Sequence, residues 1–517
     1  MDSPHSRGGG YLVDALLASL AALVGGVLYG RTLVPGLLPG DSGEFQTLSQ
    51  LLGHTHPTGY PVYLFLAHLW GNILAHSAAY RANAFSALMA VLTLLFLYAA
   101  ARALTEHLGL AFIASLTLAL SPTFWSQAVI AEIYTAAAAF FTMIVALLLH
   151  QEGRSTALFP ALAGFLGGVS LGVHMTVALL APAALLFLLE PARRTRHIWS
   201  MALVGSFLGL GVTLALYTWV DAQRSPADYF RLVVAPSASA WGLSLQDVDD
   251  VWERLYFHWT AQQFRPFMFR VEVFPRLARW YVHHLPQEVG WIAMGAAVSG
   301  GLILFVRRRY TALFLLVALG LQWAFTLTYA IWDVYVFLIP GYILLILLAT
   351  AGLDSLVHAM RRAGRHSHAL RLALYLYVIV TLVMGVPSSW WAAVHAGEVL
   401  PTPFVVYPEY SPELINRARR VVTHLPPKAI VFTDWDMLWP YTYAAYIEMG
   451  RFDVCFVEAY PRDDVPGIAD SLVHYIRTHL SEHPVFFPSR EPRLEEAGYR
   501  LEPVRIGGVR VYRVWAP

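Results

Sequence analysis

Charged residues and cysteine are scarce in this chain. Of its 517 residues, 13% are Asp, Glu, Lys or Arg and 57% are hydrophobic, whereas soluble domains carry roughly 25% charged residues. The single cysteine, Cys455, excludes an intramolecular disulfide. A net charge of +1 without a basic stripe argues against nucleic acid as a partner. The chain holds more apolar sequence than one core can absorb, which indicates a membrane protein.

Apolar stretches of about 17–25 residues, the length needed to cross a bilayer core, recur along the chain. They predict a polytopic α-helical membrane protein with about 11 spans. The first stretch is longer than the apolar part of a secretory signal peptide, so the sequence predicts a span that stays in place. The predicted spans lie near residues 11–30, 81–102, 109–127, 131–149, 157–171, 175–190, 198–219, 288–306, 310–331, 334–352 and 369–388.

Arginines in the loops predict the orientation, because basic loops stay in the cytoplasm. With these spans, three clusters and two single arginines lie on the side of the N-terminus, which we therefore expect in the cytoplasm of a multi-pass protein of the cell membrane. They are Arg102, Arg154, Arg193, Arg194, Arg196, Arg307, Arg308, Arg309, Arg361, Arg362, Arg365 and Arg371. The apolar segment 61–75 is predicted as a helix in the membrane interface, because counting it as a span would invert every later basic loop.

The same count divides the chain into two domains. Residues 1–388 form the predicted membrane domain, with external loops at 31–80 and 220–287. Residues 389–517 lack long apolar runs and are predicted as a small extracytoplasmic α/β domain. Its expected strands and helices are Ala429–Thr433, Asp453–Val457, Pro484–Phe487 and Val509–Val514, and Pro412–His424 and Asp470–Ser481.

The first external loop carries an acidic motif, Gly-Asp-Ser-Gly-Glu-Phe, with Asp41 and Glu44 three residues apart. A carboxylate at the mouth of an apolar cavity is suited to general-base catalysis, because burial and a neighbouring carboxylate both raise its proton affinity. The same spacing is equally typical of a capping box, in which the two side chains satisfy amides at a helix start. The two interpretations are compatible.

Two histidines, His54 and His56, follow in Gly53-His-Thr-His-Pro-Thr-Gly-Tyr-Pro61. Imidazoles two residues apart in a Gly- and Pro-rich loop are a weak metal signal. No cofactor is therefore firmly predicted, and a divalent metal is the less favoured interpretation.

These motifs resemble the protein O-mannosyltransferase-like membrane family within the GT-C glycosyltransferases. The resemblance rests first on residues 39–61. Further matching segments are Arg81-Ala-Asn-Ala-Phe-Ser-Ala-Leu88, Phe124-Trp-Ser-Gln-Ala-Val-Ile-Ala-Glu-Ile-Tyr134, Gly168-Val-Ser-Leu-Gly-Val-His-Met-Thr176 and, more loosely, Ala429-Ile-Val-Phe-Thr-Asp-Trp-Asp436 with Arg451-Phe-Asp-Val454. Residues 220–287 depart most from the family pattern.

The resemblance implies a GT-C-like enzyme that moves a sugar, mannose or another hexose, from a polyprenyl-phosphate donor to an acceptor hydroxyl on a protein, lipid or glycan. It makes Asp41 the general base of an inverting transfer, with Glu44 beside it. A cation or hydrogen-bond donor should meet the leaving phosphate; Arg81 and His174 are preferred over Arg265 and Arg270. The implied substrate-binding residues are His54, His56, Tyr60, Arg81, Glu132, Tyr134 and His174.

Two other classes of function fit part of the sequence. A transporter or lipid flippase also has many spans with buried charges, but transporters usually show internal repeats and interrupted helices near mid-membrane. Here the acids cluster at one outer face and no repeat is evident. A receptor that binds through its α/β tail would leave the acidic motif of the first loop unexplained.

Overall fold

The structure, a computed structural model, describes residues 4–152, 156–362, 410–462 and 467–517, with isolated helical positions at 372, 376 and 380. Helices dominate it. They are α1 (Pro4–Thr32), α2 (Gly40–Leu51), α3 (Pro61–Gly71), α4 (Ala78–Arg102), α5 (Leu108–Ala119), α6 (Pro122–Ala128), α7 (Tyr134–His150), α8 (Leu158–Ser170), α9 (Ala181–Leu188), α10 (Arg196–Ala222), α11 (Val251–Trp259), α12 (Phe274–Val289), α13 (Trp291–Arg307), α14 (Arg309–Thr326), α15 (Ile339–Arg362), α16 (Pro412–His424), α17 (Trp435–Thr442), α18 (Asp470–His479) and α19 (Pro492–Glu496).

The apolar helices confirm the class of protein. Among the described residues, five helices are long and apolar enough to cross a membrane, or up to seven if two bent pairs each count as one span. The five are Leu12–Thr32, Ala78–Arg102, Arg196–Ala222, Arg309–Thr326 and Val334–Arg362. Each coincides with a predicted span. The predicted span 369–388 and the arginines at 154, 365 and 371 lie outside the described residues, and the predicted orientation stays a prediction.

Two predicted spans differ from the structure because the chain bends. The stretch 109–127 is not one helix: α5 and α6 meet at an angle of 69°. Pro122 lacks a backbone N–H and begins a new helix, whose first turn is capped by the Ser121 side chain. The span predicted near 288–306 begins only at Trp291, and α12 precedes it at 103°. Gly290 between them has φ +82°, which ends one helix and starts the next.

Contact-based division gives two compact units, each built from three stretches of chain. The first comprises Met1–Leu33, Ser86–Leu214 and Pro266–Pro408. The second comprises Val34–Phe85, Ala215–Arg265 and Glu409–Pro517. The domain boundary that the sequence predicts near residue 388 lies outside the described residues and stays a prediction.

Close helix contacts in the first unit depend on glycine. A Cβ on Gly209 of α10 would lie 2.0 Å from the carbonyl oxygen of Phe165 in α8. On the other helix pair, a Cβ on Gly300 of α13 would lie 1.9 Å from the carbonyl oxygen of Leu348 in α15. Small residues let backbones approach in this way, which is the usual basis of helix packing in membranes.

The C-terminal part of the second unit is the small sheet domain that the sequence predicts. Its strands are β1 (Ile430–Thr433), β2 (Cys455–Glu458), β3 (Val485–Phe487), β4 (Arg500–Ile506) and β5 (Val509–Trp515). The order is β2-β1-β3-β5-β4; β1 is parallel to β2 and β3, whereas β5 runs antiparallel to β3 and β4. Strand β4 is absent from the sequence-based prediction. The apolar core lies between the sheet and α18, and includes Ile430, Phe432, Val457, Leu472, Ile476 and Phe487.

Candidate active site

The acidic motif begins α2, and its side chains do not cap that helix. Pro39 occupies the capping position and makes no side-chain hydrogen bond, while Gly40 enters the helix with φ +59°. A capping box needs a Ser, Thr or Asp side chain at the capping position. The capping interpretation of Asp41 and Glu44 is therefore wrong, and both carboxylates serve other partners.

Glu44 is completely buried and pairs with His56. Its Oε1 accepts the backbone N–H of His56 at 2.9 Å, and its Oε2 contacts Nδ1 of the same residue. Burial raises the pKa of Glu44 to about 7, against the lowering effect of His56; Asp41 raises it further. A carboxyl with such a pKa keeps a proton available near neutral pH.

The ring of His56 has defined partners on both nitrogens. The Tyr60 hydroxyl donates to the carbonyl oxygen of Pro57 at 2.8 Å and lies 3.4 Å from Nε2 of His56. A tyrosine hydroxyl has one hydrogen, so its oxygen accepts from Nε2. The Tyr60 contact therefore favours a proton on Nε2 of His56, and Nδ1 of the ring faces the Glu44 carboxyl group.

Aromatic rings surround His56 and fix its plane. The nearest ring centroids are those of Tyr60 at 5.3 Å, Phe45 at 5.7 Å and Trp435 at 6.1 Å. Phe45 comes from α2, and Trp435 is the first residue of α17 in the C-terminal sheet domain. The surrounding rings lower the local polarity, which strengthens the polar contacts of the imidazole.

Asp41 is the accessible carboxylate of the cluster. Its side chain is 41% exposed, whereas that of Glu44 is fully buried. Oδ1 accepts a hydrogen bond from Nε1 of Trp435 at 2.7 Å, and Oδ2 lies 4.0 Å from Nε2 of His56. One oxygen is therefore held by the protein, and the other faces the imidazole.

The two histidines of the loop serve separate networks. Nε2 of His54 lies 3.1 Å from Oδ1 of Asp221, which also pairs with Nε of Arg254 at 2.9 Å. The backbone N–H of His54 donates to Asp228 at 2.9 Å. His54 is almost fully buried and joins the first loop to the end of α10 and to α11. Neither histidine belongs to a group of three possible metal ligands among the described residues.

The buried polar residues of the motif also fix the approach to α2. The Leu38 backbone N–H donates to Oε1 of Gln46 at 2.9 Å, and Nε2 of Gln46 donates to Oδ1 of Asn83 at 2.8 Å. Asn83 in turn donates to the carbonyl oxygen of Val34 at 2.8 Å. These bonds satisfy the irregular backbone between residues 34 and 38, which holds the start of α2 in place.

The predicted cations have identified contacts. Arg81 donates to the carbonyl oxygen of Gly71 at 2.5 Å and to the side chain of Gln50 at 2.7 Å. Arg265 is exposed and donates to the carbonyl oxygen of Thr260, and the exposed Arg270 pairs with Glu272. Their role toward a phosphate stays a prediction.

The other predicted substrate residues lie in the first unit. The rings of Tyr134 and His174 are 5.8 Å apart, and both contact Phe337. Nδ1 of His174 also accepts a hydrogen bond from the backbone N–H of Thr176. His174 thereby caps the short helix Met175–Leu180. Glu132 is buried, and its backbone N–H and carbonyl both bond the Ser86 hydroxyl. Substrate binding by Glu132, Tyr134 and His174 stays a prediction.

Sequence reasoning missed three contributors to the site: Trp435, Asp221 and Arg254. Asp221 lies near the end of an apolar helix, and Trp435 stands between Asp434 and Asp436 in the segment that matches the family only loosely. Asp434 does cap α17, since it accepts the backbone N–H of Met437 at 2.9 Å, but the tryptophan beside it makes the contact with the acidic motif.

The fold is similar to that of GT-C membrane glycosyltransferases. It is similar to ArnT from Cupriavidus metallidurans bound to undecaprenyl phosphate, with a TM-score of 0.57, 13% identity, and coverage of 96% of this chain and 97% of that one. It is also similar to an Archaeoglobus fulgidus oligosaccharyltransferase tethered with an acceptor peptide, with a TM-score of 0.55, 12% identity, and coverage of 91% and 68%.

Within that class, the sequence resemblance to the O-mannosyltransferase-like family is confirmed over the first third of the chain. The N-terminal domain of protein O-mannosyl-transferase TMEM260 matches residues 41–197. The Mus musculus protein O-mannosyl-transferase TMEM260 is 30% identical over 176 residues, which are 34% of this chain and 25% of that protein. The Dictyostelium discoideum relative is 22% identical over 122 residues, 23% and 15% of the two chains. The matches thus span a quarter or less of the curated relatives.

Proposed function

We propose that this protein is a membrane glycosyltransferase that moves a hexose, mannose as first choice, from a polyprenyl-phosphate donor to an acceptor hydroxyl on the extracytoplasmic side. The observation that carries the proposal is Asp41. It is a partly exposed carboxylate with one free face, set beside a buried Glu44–His56 pair, in the first loop of a GT-C fold.

The relatives support the two substrates. The similar ArnT structure holds undecaprenyl phosphate, which supports a polyprenyl-phosphate donor. The curated relatives are protein O-mannosyl-transferases, which supports mannose as the sugar and a hydroxyl as the acceptor. Because these relatives are matched over only part of their length, the acceptor class is left as a protein, lipid or glycan hydroxyl.

The proposed reaction is a single displacement. Asp41 accepts the proton of the acceptor hydroxyl through Oδ2 while that oxygen attacks the anomeric carbon. The bond between the anomeric carbon and the phosphate oxygen breaks, and its electron pair leaves with the polyprenyl phosphate. One displacement inverts the anomeric configuration. A cation or N–H donor stabilises the charge on the leaving phosphate, and Arg81 is the sequence-based choice.

The Glu44–His56 pair helps to orient the Asp41 carboxylate for this proton transfer. Nε2 of His56 lies 4.0 Å from Oδ2 of Asp41, which is close enough for electrostatic attraction and too far for a direct hydrogen bond. Glu44 thus acts through His56, and Asp41 is the group that touches substrate.

The test uses the full chain, purified and reconstituted with a polyprenyl-phosphate mannose donor labelled in the sugar and a Ser/Thr-containing peptide or a lipid acceptor. Asp41→Asn should lower transfer by roughly 10²–10⁴-fold, the usual contribution of a general base. Asp249→Asn, at an exposed aspartate of another loop, is the matched control and should transfer normally. Transfer by Asp41→Asn at the wild-type rate, with the same unfolding temperature, would show that Asp41 is not the base.

A further inference from the structure

The C-terminal sheet domain delivers one side chain to the acidic motif. Strand β1 ends at Thr433, Asp434 caps α17, and Trp435 is the first residue of that helix. The cap accepts the Met437 backbone N–H at 2.9 Å, so the direction in which Trp435 leaves the sheet is fixed by the strand end and the helix start.

The Trp435 ring is held on several sides. Its centroid lies 5.6 Å from that of Trp439, 6.1 Å from that of Tyr229 and 6.1 Å from that of His56, all nearly perpendicular. Edge-to-face contacts of this kind restrict the ring to one orientation. In that orientation Nε1 donates to Oδ1 of Asp41 at 2.7 Å. An indole N–H only donates, so the bond always leaves Asp41 as the acceptor.

We propose that Trp435 is a positioning residue for Asp41, through which the C-terminal sheet domain sets the orientation of the base. The inference rests on the proposed function. Trp435 holds Oδ1 in place and leaves Oδ2, the oxygen that faces His56, to accept the substrate proton.

The glycines of the acidic motif fit this role. A Cβ on Gly43 would lie 3.1 Å from Cβ of Trp439, and 2.5 Å from the Leu38 carbonyl oxygen. A Cβ on Gly40 would lie 3.5 Å from the Asp436 carboxylate. Gly43 therefore allows α2 to approach α17 closely, whereas a side chain at Gly40 would make only an ordinary van der Waals contact there.

The charges around Asp41 make this N–H important. Glu44 on α2 and Asp436 on α17 both interact electrostatically with Asp41, and Nε2 of His56 lies 4.0 Å from its Oδ2. Burial raises the pKa of Asp436, and Asp434 and Asp41 add to this effect. Loss of the Trp435 N–H would remove a hydrogen-bond donor that favours the ionised form of a carboxylate.

The experiment compares Trp435→Phe with the wild-type full chain, measuring kcat and KM for donor and acceptor between pH 5 and 9. Trp435→Phe should lower kcat by about 10- to 100-fold, because a misplaced reacting group costs rate rather than affinity. KM should stay within about twofold, and the acid limb of the kcat profile should move to higher pH.

Trp515→Phe is the matched control. The indole N–H of Trp515 donates to Glu502 at 2.8 Å, within the pair of strands β4 and β5, so its loss should leave the acid limb where it is. A second version of the test replaces Trp435 by β-(3-benzothienyl)alanine, which has the size of tryptophan and lacks the N–H. It should give the same acid-limb shift even where Trp435→Phe folds poorly.

An unchanged kcat and acid limb in the benzothienyl protein would overturn the positioning role. The proposed function would stand in that case if Asp41→Asn were still inactive. If Asp41→Asn transferred at the wild-type rate, the assignment of Asp41 as the base in the proposed function would fail.

Discussion

Glu44 and His56 are joined twice, through the His56 backbone N–H and through its ring. The double contact places a fully buried carboxyl group next to an imidazole. Burial therefore favours the protonated carboxyl, and the imidazole opposes it. The balance makes Glu44 a group that titrates close to neutral pH.

The stability of the protein should depend on pH through Glu44. Its pKa rises from an ordinary 4.5 to about 7 on folding, so between these values the native state binds more protons than the unfolded state. The stabilisation is present below pH 4.5 and is lost as the pH rises through 7, by an amount on the order of 3 kcal/mol. Thermal unfolding in detergent at pH 5 and pH 8 measures it. Glu44→Gln should remove this part of the pH dependence, and an identical dependence in both proteins would contradict the assignment.

The His56 ring should be needed for rate rather than for substrate binding. His56→Gln removes the N–H that faces Asp41 and leaves the backbone N–H that binds Glu44. We expect kcat to fall about tenfold or more, with KM nearly unchanged. Steady-state kinetics at the pH optimum give the split. His68→Gln is the control, because His68 lies on α3 and contacts the carbonyl oxygen of Ser49 instead. A rise in KM alone would indicate a binding role.

Gly59 should tolerate no side chain. It has φ +87°, and a Cβ there would lie 2.6 Å from Nδ1 of His258. Gly59→Ala should therefore displace either the motif loop or His258 and lower activity together with the unfolding temperature. Gly242 also has positive φ, +65°, but open space around it. Gly242→Ala should cost only about 1 kcal/mol of backbone strain. Equal losses of activity and unfolding temperature in the two variants would mean that backbone strain, and not the contact with His258, causes the effect.

The contact of α8 with α10 should fail when one glycine gains a methyl group. Gly209→Ala places a Cβ 2.0 Å from the Phe165 carbonyl oxygen, which should destabilise the protein by about 2 kcal/mol or more. Gly211, on the same helix, has nothing within 4 Å, and Gly211→Ala should be neutral or slightly stabilising. Thermal unfolding of both variants in the same detergent distinguishes packing from helix propensity.

The predicted orientation can be tested with introduced cysteines in a Cys455→Ser background. Ala497→Cys, at an exposed position of the C-terminal sheet domain, should react with a membrane-impermeant maleimide on intact cells. Arg362→Cys, exposed at the end of α15, should react only after the membrane is permeabilised. The opposite labelling pattern would invert the topology, and with it the side on which the acceptor is met.

Much of the fold follows from local sequence. Spans such as 81–102 and 198–219 are recognisable because lipid requires long apolar helices, and Pro412–His424 has a clear amphipathic pattern with Pro at its start. Strand β4 is harder. Its sequence, Arg-Leu-Glu-Pro-Val-Arg-Ile, is mostly exposed and contains Pro503, as an edge strand permits. Because this strand contains charged residues and a proline, it lacks the apolar pattern by which buried strands are recognised.

The site is only partly local. Asp41, Glu44 and His56 belong to one short stretch of sequence, so the motif alone identifies them as candidate site residues. The partners from other segments cannot be identified in this way. Asp221 pairs with His54 across 167 residues of sequence, and Trp435 lies 394 residues after Asp41. No periodicity or spacing encodes such contacts. They depend on tertiary packing, and the sequence alone shows only that polar and aromatic residues are present.

The hydrogen bond from Trp435 to Asp41 joins two residues that are 394 positions apart in the sequence. Chains are made from the N-terminus, and their parts fold as they emerge. Asp41 is therefore synthesised first and oriented last, when β1 and α17 have followed it out of the ribosome. A protein truncated before Trp435 contains the complete acidic motif, but its Asp41 lacks the hydrogen bond from Trp435. On our inference, full transfer activity requires that synthesis has passed β1 and α17.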